Sequence, residues 1–122
     1  MPRTLMPTPD LPQPHLPDPG LAAHLPTLRA MLEEQRRFRI EQLVDLAGAG
    51  HCTREDDARR EVASTLTTGA RRALADIEAA LARMRTGRYG VCLGCDEPIG
   101  ADRLSVIPQA ALCVECQRRT EG

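Results

Sequence analysis

Apolar residues recur at helical spacing over two long stretches of the chain, and a glycine-rich break separates them. In the first stretch Leu28, Met31, Leu32, Leu43 and Leu46 mark one face, with Gln35 and Gln42 inside the stripe. The pattern predicts a helix from about Thr27 to Ala47. Glu33 precedes Arg37 by four residues, the favourable ion-pair order on a helix surface. Gly48-Ala49-Gly50 interrupts the pattern, because two glycines so close together weaken a helix and favour a turn. In the second stretch Val62, Leu66, Ala73, Ile77 and Met84 form a stripe, broadened by Leu74 and Leu81. Here the expected helix starts near Thr53, whose hydroxyl suits an N-cap, with Asp56 three residues on. Arg83, Arg85 and Arg88 gather at its far end, where cations complement the helix dipole, and Gly87 is a stop signal. Two amphipathic helices joined by a short turn pack antiparallel. The resulting arm would be about 30 Å long. The second helix is the longer, so its last turns need another partner.

Outside this pair the chain changes character. Residues 1–26 carry eight of the ten prolines. Proline removes an amide donor and fixes φ, so a disordered or polyproline-II-like tail is expected. Pro9–Pro12 and Pro14–Pro17 fit a P-x-x-P pattern, although a spacer is the plainer reading. The organisation expected from sequence is therefore a tail over 1–26, a helical hairpin over 27–87 with its tip near 48–58, and a cysteine-bearing module over 88–122 ending in a short helix. The fold class is mostly α.

Composition narrows the function. Phe38 and Tyr89 are the only aromatic residues, so any core is built from aliphatic side chains, which suit the narrow seam between two helices. The formal net charge is −1, with all sixteen basic residues Arg, and this balance gives no electrostatic reason to bind nucleic acid. No apolar run approaches the roughly 20 residues that span a membrane, and no secretory signal is evident. A cytoplasmic location is the default, and there thiols stay reduced.

The cysteines carry the clearest chemistry. Cys92-Leu93-Gly94-Cys95 is followed, after seventeen residues, by Cys113-Val114-Glu115-Cys116. A two-residue gap lets a tight turn set both sulfurs on one side of a metal, and two such turns complete a tetrahedron. Four thiolates leave no open position, so one structural zinc ion is expected and no catalytic water. Two disulfides or a redox pair fit the compartment and the absence of a βαβ pattern poorly. An iron–sulfur cluster also uses four cysteines and stays open at this point. Cys52 lies at the opposite end of the hairpin, too far to share the metal. Neighbouring Glu55, Asp56 and Asp57 would raise its pKa and oppose a redox-sensing role. No Ser-His-Asp order, phosphate loop or open metal site points to an enzyme. His15, His24 and His51 sit in the tail or the turn.

The string YGVCLGCDEPIGADRLSVIPQAALCVECQ resembles the DksA/TraR family of C4 zinc-finger transcription factors. Tyr89 and Gly90 precede the first cysteine as that family's G-x-Y/F-G-x-C pattern prefers. Ile99, Arg103-Leu104, Pro108 and Ala110 fall at family positions between the pairs. Members insert a coiled-coil arm into the secondary channel of bacterial RNA polymerase, with the zinc end at the rim. The resemblance therefore implies a polymerase-binding transcription regulator that is not an enzyme. Its tip motif D-x-x-D-x-A corresponds here to the stretch from Thr53 to Ala58, with Asp56 and Ala58 matching and Thr53 replacing the first Asp. Thr53, Glu55, Asp56, Asp57 and Ala58 are the expected polymerase-contact residues. Acids in a first helical turn also stabilise the helix without any partner. The family's guanosine tetraphosphate site uses basic residues on helix two and directly after the last cysteine. Asp76 and Gln117 fall in those regions, so a response to that alarmone is not expected. Direct sequence-specific DNA binding is not expected either. Arg103 is the only cation between the cysteine pairs, against Asp96, Glu97 and Asp102. The competing reading is an adaptor or dimerisation protein, with the zinc as scaffold and the hairpin and tail as contact surfaces.

Overall fold

A computed structural model describes residues 19–49 and 57–121. Its elements are a 3-10 turn at Pro19–His24, α1 (Leu25–Ala49), α2 (Asp57–Arg85), α3 (Ala101–Val106) and α4 (Val114–Glu121). Within 90–99 the only strand-like pairing among the described residues is an antiparallel bridge between Val91 and Pro98. The chain is thus mostly α, with α1 and α2 packed along each other as the hairpin. Residues 1–18, 50–56 and 122 lie outside the described residues, and with them the expected tip turn and N-cap Thr53.

The core sits at one end of the hairpin. Leu28 and Leu32 of α1 meet Ile77, Ala80 and Leu81 of α2, and the same cluster continues into Tyr89, Cys92, Ile99, Leu104, Ala110 and Cys116. The last turns of α2 thus find the partner they need in the cysteine module. Three layers bury side chains that two helices alone leave half wet.

Two sequence expectations are corrected here. Residues 19–26, assigned to the tail, are helical instead. Pro19 and Pro26 permit this because each lies near the start of a helical segment, where a missing amide costs little. Leu21 fixes the segment by burying its side chain in the core, at 1% exposure. The apolar stripe of α2 is also not buried along its length. Val62 and Leu66 are 59% and 49% exposed, and on α1 Phe38 and Val44 are 58% and 65% exposed. A two-helix seam shields only a narrow strip, and among the described residues no third layer reaches this far.

The stop at Gly87 is a Schellman cap. Gly87 takes φ +74°, its amide donates to the Met84 carbonyl at 3.4 Å, and the Arg88 amide reaches the Arg83 carbonyl at 2.8 Å. This reversal swings the chain out of α2 and straight into the first cysteine turn.

Candidate metal centre

The first knuckle is built on a short ribbon. The Ile99 amide donates to Gly90 at 2.7 Å and the Cys92 amide to Glu97 at 2.8 Å, which brackets Cys92–Asp96 as a closed loop. The Asp96 amide closes it on the Cys92 carbonyl at 2.9 Å, with Asp96 at φ 61°, a left-handed conformation that Asp tolerates. The second knuckle opens α4 at Cys113–Cys116. A bond from the Leu93 amide to the Ala111 carbonyl, 2.9 Å, holds the two loops face to face.

Three side chains position the approach to the second knuckle, and all three act on alternate carbonyls. The Tyr89 hydroxyl donates to Pro108 at 2.7 Å, an Arg83 guanidinium nitrogen reaches Ala110 at 3.5 Å, and Arg103 Nε donates to Leu112 at 3.0 Å. Burial pushes the Tyr89 phenol up to about 12, against an opposing pull from Arg83. Burial also lowers the pKa of Arg83, although Tyr89 and Asp76 favour its charge. Sequence reasoning read Arg83 as a dipole partner and missed its carbonyl.

The four sulfurs of Cys92, Cys95, Cys113 and Cys116 lie within 4.8 Å of one another. Cys95 Sγ and Cys113 Sγ are 3.8 Å apart. Thiolates bound to one zinc at about 2.3 Å in a tetrahedron have sulfurs about 3.8 Å apart, whereas a disulfide would need about 2.05 Å. All four cysteines are free thiols, which removes the disulfide reading. So compact a set encloses a single metal atom. In an iron–sulfur cluster the thiolates are divided among two or more irons, and bridging sulfides hold those on different irons further apart.

The surroundings fit a cation. Cys92 is fully buried and accepts the Gly94 and Cys113 amides, both at 3.3 Å, while the Cys116 amide points at Cys113 Sγ at 3.5 Å. Such second-shell donors orient ligands and spread their negative charge. Burial raises the Cys92 thiol, but the amides of Cys113, Cys95 and Gly94 more than offset this and bring it down to about 6. Hydrogen bonding to Cys92 and Cys113, with burial, raises Cys116 to about 12. Four neighbouring thiols cannot all ionise unless a cation stands between them. Gly94 makes room for that packing, since a Cβ there would lie 3.0 Å from Cys116 Sγ and 3.4 Å from Leu112 Cδ2.

The remaining expected site residues divide. Asp57 and Ala58 open α2 and are exposed, 35 and 34 residues before the first zinc ligand. Thr53, Glu55, Asp56 and Cys52 lie outside the described residues. Asp76 and Gln117 line one open cleft at the zinc end, of about 720 Å³, together with Arg83, Arg103 and Arg118.

A closed four-thiolate knuckle at the foot of a two-helix rod defines a C4 zinc-finger protein whose single zinc ion is structural. Residues 87–122 match the family of the prokaryotic dksA/traR C4-type zinc finger. The RNA polymerase-binding transcription factor DksA of Caulobacter vibrioides (strain NA1000 / CB15N) is 43% identical over 51 residues, covering 42% of this chain and 36% of that protein. DksA of Haemophilus influenzae is 39% identical over 51 residues, covering 42% and 35%. These matches span about a third of the length of those relatives. The structure of transcription factor DksA2 from Pseudomonas aeruginosa superposes with a TM-score of 0.67 at 30% identity, over 81% of this chain and 84% of that one. The chain belongs to the DksA/TraR family.

Proposed function

We propose that this protein regulates transcription by binding RNA polymerase, with the hairpin inserted in the secondary channel and the zinc module as the rigid base at its rim. The observation that carries the reading is the unburied outer arm. Helix α1 has 25 residues, hence a rod of about 37 Å, and none of the described side chains in its outer half is buried. The 30% identical DksA2 structure extends this likeness beyond the zinc finger into the hairpin. Two of the relatives are named RNA polymerase-binding factors.

In this reading the tip residues Thr53, Glu55, Asp56, Asp57 and Ala58 point toward the active centre, and Asp56 biases mobile elements or the metal environment there. The effect is steric and electrostatic, so the chain performs no catalysis. Guanosine tetraphosphate is not expected as a ligand, because Asp76 and Gln117 stand in the regions where the family's site uses basic residues, although Arg83, Arg103 and Arg118 line the same cleft. Calorimetry showing tight binding there would remove this point. Capture of core polymerase by the full-length protein tests the main reading, with Asp56→Asn beside wild type. Binding with altered transcript output for the variant is expected. Unchanged output removes Asp56 from the mechanism, and no capture removes the reading.

One observation favours the adaptor as a second reading. Phe38, Val44, Val62 and Leu66 leave apolar area on the arm that another chain could cover. Light scattering separates the two: a monomer supports channel insertion, and a stable dimer supports the adaptor.

A further inference from the structure

We infer that α2 contains a built-in hinge at Ser64–Gly69, about which the outer arm opens and recloses while the zinc base stays folded. The stretch reads Ser-Thr-Leu-Thr-Thr-Gly in the interior of a 29-residue helix. Five of these six residues are poor helix formers. Ser and Thr compete for backbone groups, and Gly has the largest entropy to lose. The competition is visible. Thr65 Oγ1 donates to the Glu61 carbonyl at 3.0 Å, Thr67 Oγ1 to Ala63 at 2.8 Å, and Thr68 Oγ1 to Ser64 at 3.0 Å. Hydroxyl bonds to the carbonyl four residues back share the acceptor of the helix ladder, which weakens and bends helices. Three carbonyl acceptors of this kind, Glu61, Ala63 and Ser64, fall within about one turn.

Packing does not compensate. A Cβ added at Gly69 would meet nothing within 4 Å, so the glycine serves no close approach. Burial changes at the same place. Ala70, Ile77, Ala80 and Leu81 are the buried residues of α2, and all lie on the base side of Gly69. On α1 no described residue beyond Leu32 is buried. Val62, tipward of the stretch, and Leu66, within it, are exposed. Weak propensity and the boundary of the core thus coincide, which is the condition for a local opening unit distinct from the global one. An arm that enters a confined site gains from this arrangement, since its outer half adapts without disturbing the metal centre.

Native-state amide hydrogen exchange on the zinc-loaded full chain tests the hinge. Amides of 57–68 are expected to exchange at least about tenfold faster than those of 70–85, with the step between 64 and 70. The triple substitution Thr65→Ala, Thr68→Ala and Gly69→Ala touches only exposed positions and favours helix. It should slow exchange in 57–68 by about tenfold and leave 70–85 unchanged. Uniform protection along α2 in wild type, or a triple variant without gain, would overturn the inference. The measurement needs no polymerase, so it stands or falls apart from the proposed function.

Discussion

The two ends of this molecule are held together by different physics. At the base, three layers meet, and Leu21, Leu32, Ile77, Ile99 and Leu104 are each at most 1% exposed. A metal cross-link and three carbonyl clamps then tie the loops to α2. Along the outer arm only two layers of the described residues meet, and stability rests on a thin seam, with one half-exposed ion pair nearer the base. Arg36–Glu78 spans 3.6 Å with both side chains about half exposed, a geometry worth little in water. The same aliphatic composition thus gives a rigid body at one end and a soft rod at the other. What differs is whether a third element arrives, and zinc is what lets a segment of about thirty residues be that element.

The largest effect should come from removing the metal. Strong chelator is expected to unfold 88–121 and to expose Tyr89, because structural zinc contributes on the order of 10 kcal/mol to modules of this size. Tyrosine fluorescence and circular dichroism would report it, and an unchanged base would erase the distinction between the two ends. Next in size is a paired truncation. Leu32→Ala or Ile77→Ala at the base should cost about 2–5 kcal/mol in denaturant unfolding, while Val62→Ala or Leu66→Ala on the arm should cost well under about 1 kcal/mol. Equal costs would mean that the core extends along the arm.

Gly94→Val probes the crowding beside Cys116. It should weaken zinc affinity by about 10–100-fold in competition with a chelating dye, the range seen when ligand support is lost. The smallest effect concerns Tyr89, the chain's only tyrosine. Its folded pKa of about 12 lies above the ordinary 10. The stability gained by keeping the phenol neutral is therefore complete below pH 10 and is lost as pH rises through about 12. Absorbance titration should show no phenolate near pH 10 in the zinc-loaded protein and a midpoint near 10 after chelation. Tyr89→Phe should cost about 1–1.5 kcal/mol through the lost bond to Pro108.

The base was legible in the sequence to the extent that its chemistry is local. Two Cys-x-x-Cys pairs specify a knuckle through covalent spacing, and Gly87 marks a helix end because only a left-handed residue closes that cap. The hairpin was legible as periodicity, but periodicity reports which face is apolar and not whether anything covers it. Val62 and Leu66 belong to the same stripe as Ile77 and are nonetheless exposed. Leu21 was missed for the converse reason. It sits among prolines, where local rules predict no structure, and a long-range contact with the core overrides them. The carbonyl clamps of Tyr89, Arg83 and Arg103 were invisible because they join residues 9 to 27 positions apart.

Metal analysis of the purified, reduced full chain is the most direct test of the account. One zinc per chain is expected, falling to a weakly held fraction when Cys92→Ser removes the buried ligand. A folded, helical protein carrying no stoichiometric zinc would contradict it, since nothing else in the base could then supply the third layer.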